Sequence, residues 1–238
     1  MARNAVSIAA LYSVRLEVGV KEILESTILI LGALFPIVNP LGNSPIFLML
    51  TRNSSSASRA MLSWRIAVNS FLLLVVSFFI GTHILAFFGI SLPVVQVGGG
   101  LVVISTGWTM LKSDDSDNRG EVVESRMPSR DILEQAFYPL TLPLTVGPGS
   151  ISVAIALGAN EPRHVGINIP ASVAALVGSL LIALSVYLCY RFAERLEQLL
   201  GKSAMNVIMR LSSFLLLCIG VQILWNGVTG LLKSVGKL

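Results

Sequence analysis

Charged side chains make up only 13% of the 238 residues, and they leave six long stretches empty. No Asp, Glu, Lys, Arg or His lies between Glu25 and Arg52, Arg65 and His83, or His83 and Lys112. The same holds between Glu134 and Glu161, His164 and Arg191, and Arg210 and Lys233. Cysteine is nearly missing as well. Cys189 and Cys218 sit in apolar stretches without metal or redox spacing and read as small buried hydrophobes. The apolar stretches hold no His/Cys/Asp cluster and no paired carboxylates, so an enzyme is the least supported class and no resident cofactor is implied. The net charge of +4 is small and spread over loops, which argues against a nucleic-acid partner.

What is present is hydrocarbon. Hydrophobic residues make up 54% of the chain and its mean hydropathy is +0.79, values of a polytopic membrane protein whose solvent is the lipid bilayer. Each charge-free stretch accommodates the roughly 20 residues that a spanning helix needs. They predict six spans near 26–50, 64–87, 93–111, 135–158, 166–190 and 207–231.

Lys and Arg set the expected orientation. Three loops on one side carry Arg52, Arg59 and Arg65, then Lys112, Arg119, Arg126 and Arg130, then Arg191, Arg195, Lys202 and Arg210. The other side carries Arg3, Arg15, Lys21, Arg163, Lys233 and Lys237. Positive charge stays inside, so both termini are expected outside the plasma (inner) membrane. Trp64, Trp108, Tyr187 and Tyr190 then fit an aromatic belt at the inner interface. Residues 1–22 read as an interfacial segment, and 113–134, rich in Ser and Asp, as a cytoplasmic linker. The linker separates repeat 1 (23–112) from repeat 2 (135–238).

Proline appears where a membrane helix should avoid it. Phe35 to Pro45 carries Pro36, Pro40 and Pro45, and Tyr138 to Pro148 carries Pro139, Pro143 and Pro148, each pair 103 positions apart. Proline lacks the N–H of the helical ladder, so each triplet predicts a broken first helix of its repeat. A second match, Gly107-Trp108-Thr109-Met110-Leu111 against Gly220-Val221-Gln222-Ile223-Leu224, lies 113 positions apart near the ends of spans three and six. With three spans per half, the second half enters the membrane in the opposite sense, which predicts inverted repeats. Backbone freed in lipid survives only when buried in protein or lining a wet cavity.

The segments Asn39-Pro40-Leu41-Gly42-Asn43 and Pro143-Leu144-Thr145-Val146-Gly147-Pro148-Gly149 resemble signatures of the MarC/SnatA family of bacterial and archaeal membrane proteins. Val207-Ile208-Met209-Arg210 and Ile219-Gly220-Val221-Gln222 are similar to that family's C-terminal segment, and the resemblance runs from about Glu22 to Lys233. It implies a six-span inner-membrane protein, and for some members transport of small neutral amino acids such as glycine and alanine.

The residues themselves suit such a solute. Unwound backbone between half-helices offers N–H groups to a carboxylate and carbonyls to an ammonium. Gly42, Gly147 and Gly149 permit close approach, while Asn39, Asn43, Ser44, Thr141 and Thr145 supply neutral donors and acceptors beside Pro40, Pro143 and Pro148. The alternative for the same residues is local: Ser and Thr pair the carbonyls that proline frees, and the kinks serve packing. No carboxylate lies in a span core, so a net-neutral zwitterion is favoured, with sodium or proton coupling left open. The expectation is an all-α membrane protein of two inverted three-helix repeats, acting as a secondary transporter by alternating access. A channel or exporter for another small polar solute, and a non-transporting scaffold or regulatory protein, are the alternatives.

Overall fold

A computed structural model describes residues 2–52, 54–112, 134–160 and 169–235, with side chains described from residue 19 onward within these ranges except at 134, 160, 202 and 235. Helices α1 (Ala2–Val38), α2 (Pro40–Leu50), α3 (Ser56–Phe87) and α4 (Leu92–Lys112) form the first half. In the second, a single 3-10 turn leads into a π-wound segment, Phe137–Thr145, followed by α5 (Pro148–Asn160), α6 (Ile169–Arg191) and α7 (Ala193–Val235). No strand occurs among the described residues. The linker expected at 113–134 and the loop at 161–168 fall almost wholly outside them.

Five stretches are long and apolar enough to cross a membrane: Gly19–Leu50, Ser56–Phe87, Leu92–Lys112, Ile169–Arg191 and Ser203–Ser234. The π segment and α5 make a sixth when taken together, bent by 64°. The expected spans lie within these stretches except at a few ends. The N-terminal segment is not set off from the first span, because α1 runs unbroken from Ala2 through Glu22 to Val38. Turn chemistry elsewhere is ordinary. Ser55 caps α3 by accepting from the Ser58 N–H at 3.1 Å, and Gly89 turns the chain into α4 at φ 66°. Gly201, at φ 72°, kinks α7 before its membrane-crossing part.

Large apolar side chains such as Ile28, Leu72, Leu101, Leu180 and Leu211 face outward, as lipid allows. The interior therefore needs close packing rather than exclusion of water to hold it. Small residues provide it. A Cβ on Gly100 would lie 2.6 Å from the Leu224 backbone nitrogen, and one on Gly107 2.9 Å from that of Leu217, so α4 and α7 touch backbone to backbone. Gly178 of α6 admits the Ile30 side chain, and Gly158 of α5 presses on the Phe78 carbonyl of α3. The main core gathers Leu34 and Val38 from α1, Phe47 from α2, Leu62 and Leu74 from α3, Leu140, and Ile182, Val186 and Tyr190 from α6.

Candidate functional site

The first proline segment unwinds far less than three prolines suggest. α1 passes through Pro36 and ends at Val38, Asn39 alone takes the left-handed conformation (φ 47°, ψ 55°), and Pro40 opens α2. Proline is favoured there because the first helical N–H has no partner to lose. Asn is one of the few side-chain-bearing residues that tolerate this conformation. Its Oδ1 also accepts the Gly42 N–H at 3.1 Å, capping α2. Gly42 has to be glycine, since a Cβ would collide with the Asn39 amide.

Two carbonyls freed here have specific replacements. Gly42 N–H would have served the Val38 carbonyl in a continuous helix; the Asn43 side-chain amide donates to it instead, at 3.0 Å. Pro45 leaves the Leu41 carbonyl without its ladder donor, and the Ser44 hydroxyl takes it at 2.9 Å. In the second segment, Pro148 strands the Leu144 carbonyl. The donor that reaches it, at 3.1 Å, is Asn43 again. One side-chain amide thus repairs both breaks and ties them together.

The second segment solves the same problem by widening. Tyr138 and Leu142 are extended inside it, and the Tyr138–Pro139 and Leu142–Pro143 peptides are cis. Hydroxyls donate five residues back, Thr141 to the Ala136 carbonyl at 2.6 Å and Thr145 to the Leu140 carbonyl at 2.7 Å. Because Thr145 donates its only proton to Leu140, the Tyr190 hydroxyl 2.9 Å away must donate to Thr145. By the same logic the Asn69 amide of α3 donates to Thr141, at 3.4 Å.

The structure brings together part of the expected set. Asn39, Pro40, Gly42, Asn43 and Ser44 are buried on the first segment, and Thr141 and Thr145 on the second. Pro143 and Pro148 are exposed. Gly147 lies between them, its position too close to the Pro143 carbonyl for an easy Cβ. Gly149 is buried, with the Val103 side chain and the Gly99 carbonyl of α4 where a Cβ would lie. Tyr190 departs from the expected aromatic belt. It is 2% exposed and stacked on Phe47 with ring centroids 4.6 Å apart, while Tyr187 meets Trp64 edge-on. The signal for Tyr190 was in the sequence: Ala171, Ala175, Gly178, Ile182 and Val186 form a buried stripe along α6, and Tyr190 continues it.

One polar atom in the site lacks a protein partner. With Oδ1 held by Gly42, the Asn39 Nδ2 is a buried donor without an acceptor, and the residue is 7% exposed. Such a group costs about 1–3 kcal/mol if nothing else binds it. Thr27 and Ser70 hydroxyls are the other two buried atoms in this position, on α1 and α3.

Residues 24–232 match the family described as MarC family integral membrane protein. An inner membrane protein MarC of Citrobacter koseri is 36% identical over 214 residues, covering 86% of this chain and 94% of the relative. The similarly named protein of Salmonella typhimurium is 34% identical over 212 residues with the same coverage, and that of an Escherichia coli strain 32% identical. No solved structure matches the chain. With most of its length matched and its helices sized for a bilayer, the chain belongs to the MarC family of integral membrane proteins.

Proposed function

We propose that the protein is a secondary transporter of small neutral amino acids of the glycine and alanine class, with its substrate site where the two proline segments meet. The observation that carries this reading is the Asn39 amide: a buried donor without a partner, at the N-terminal end of α2, beside Asn43 and its link to Leu144. A carboxylate placed there would receive that donor and the positive end of the α2 dipole, and carbonyls of the widened second segment suit an ammonium. With no Asp or Glu in the described span cores, a net-neutral solute needs no counter-ion. Coupling by sodium on carbonyls, by a proton, or by simple exchange remains compatible with the reading. The protein resides in the inner membrane with its Arg-rich loops in the cytoplasm and its termini outside, as its relatives' names and its Lys and Arg distribution suggest.

Alternating access needs two halves that rock against each other, and the packing pattern supports inverted repeats. Exchanging the first span (α1 with α2) for the fourth (π segment with α5), α3 for α6, and α4 for α7 maps the helix contacts onto one another. The first span packs on α6 and the fourth on α3; α2 packs on α7 and α5 on α4; α3 meets α6 and α4 meets α7. The glycines agree in detail. A Cβ on Gly107 would approach the Leu217 nitrogen and Ser213 carbonyl, at 2.9 and 3.0 Å. At its counterpart Gly220, 113 positions on, the neighbours are the Ile104 nitrogen and Gly100 carbonyl at 2.7 and 3.1 Å, themselves the counterparts of Leu217 and Ser213. A contact set that reproduces itself under exchange is what a two-fold axis produces.

The second reading, a non-transporting scaffold, draws on the hydroxyls of Ser44, Thr141 and Thr145, all three bonded to backbone carbonyls. Purified protein in liposomes separates the two. Transport predicts saturable uptake of labelled glycine or alanine with trans-stimulation, lost at least tenfold in Asn39→Asp, whose carboxyl keeps an oxygen for the Gly42 N–H and sets an acidic group where the substrate carboxylate would bind. Absence of flux in the wild-type protein, or undiminished flux in the variant, rejects this assignment.

A further inference from the structure

Tyr190 touches both the candidate site and a cleft near the Arg-rich ends of the helices. The Tyr190 hydroxyl reaches inward to Thr145, and the same residue lines a small cleft on the outer side with Leu48, Ser56, Arg59, Arg191 and Glu194. Its ring lies flat on Phe47, 8° from parallel. Across the mouth of the cleft, Arg59 of α3 forms an ion pair with Glu194 of α7; the Arg59 side chain is 17% exposed and that of Glu194 52%.

These two contacts share a property. Phe47 and Arg59 belong to the first half of the chain, Tyr190 and Glu194 to the second. Both contacts cross between the halves, as most of the helix packing does, while the Tyr190–Thr145 bond lies within the second half. We propose that Tyr190, stacked on Phe47 and latched by Arg59–Glu194, is the gate that closes the candidate site toward the Arg-rich face. The proposal rests on the reading of Asn39, Asn43 and Thr145 as the substrate site. Thr145 is the positioning residue: by accepting the Tyr190 proton it holds the ring in register with Phe47. A solute that competes for the Thr145 oxygen releases the ring, which links occupancy to opening. The aromatic stack supplies attraction in either a dry or a wet setting, and the exposed ion pair adds a smaller share.

Cysteine accessibility in the full-length protein tests the gate. In a Cys189→Ala, Cys218→Ala background, Val38→Cys places a thiol at a fully buried core position next to Asn39. A cysteine at Ala57, exposed in the first turn of α3, identifies the Arg-rich face in vesicles of known orientation. A charged, membrane-impermeant thiol reagent is then applied to each face. Adding Tyr190→Phe removes the bond to Thr145 and keeps the ring; labelling at position 38 should accelerate about five-fold from the Arg-rich face and stay constant from the other. Glu194→Gln, at an exposed position that does not threaten folding, should accelerate it about two-fold on the same face. Unchanged rates in both variants, or equal acceleration from both faces, overturn the gate. Glycine flux by the parent protein in the same vesicles judges the transport reading separately. Flux without one-sided acceleration removes the gate alone, and one-sided acceleration without flux keeps the gate while removing transport.

Discussion

The two proline segments share a spacing, and of the positions where they differ the one before the second proline bears most on the break. Position 39 is Asn and its counterpart, 103 positions on, is Leu142. Asn39 enters the left-handed region at small cost and caps the following helix with its own side chain, so the interruption is one residue long. Leu142 has neither option. It is extended instead, as is Tyr138, and the chain between them widens into a π-wound segment whose carbonyls are served by Thr141 and Thr145. Identical proline punctuation thus gives a one-residue interruption within a single span in one half and a bend of 64° to the next helix in the other. The lesson is that proline sets where a membrane helix loses its ladder, and the neighbouring polar side chains set how far the loss spreads.

The largest expected effect comes from removing what joins the two segments. Asn43→Ala leaves the Val38 and Leu144 carbonyls without their donor, and each buried orphan costs about 1–3 kcal/mol, so the unfolding free energy in detergent should fall by about 2–6 kcal/mol. Making the first segment resemble the second is next. Asn39→Leu forces a branched side chain into the left-handed region and deletes the cap, a loss of about 2 kcal/mol. Asn39→Gly keeps the conformation and gives up only the cap, so its loss should be a few tenths of a kcal/mol. A leucine variant as stable as the glycine variant would show that the interruption is held by something other than Asn39. Smaller again is Ser44→Ala. The Leu41 carbonyl loses its hydroxyl donor in a partly buried setting, and a loss of about 1 kcal/mol is expected by thermal melting. Equal losses for Ser44→Ala and Asn43→Ala would mean that the link between the segments adds nothing beyond local repair.

Much of the architecture was legible because lipid makes charge placement decisive. Gaps between charged residues located the spans. The extent of each break was not legible. Proline counts alone do not say that Asn43 and Ser44 will repair the first ladder locally while the second widens. Gly149 looked like a site residue from its place after Pro148, yet its direction depends on helix rotation, which turns it to Val103. Gln222 and Asn226 bond each other along α7 at 2.9 Å, whereas Asn69 crosses to Thr141. Spacing reports which residues share a face, and only packing decides what that face meets.

Equilibrium binding of labelled glycine or alanine to purified wild-type and Asn39→Asp protein, with melting temperatures recorded for both, bears most directly on the central claim. Saturable binding by the wild type is expected, and none by the variant, with a cooperative melting transition showing that both are folded. Equal binding by the two proteins, or no binding by a well-folded wild type, would contradict it.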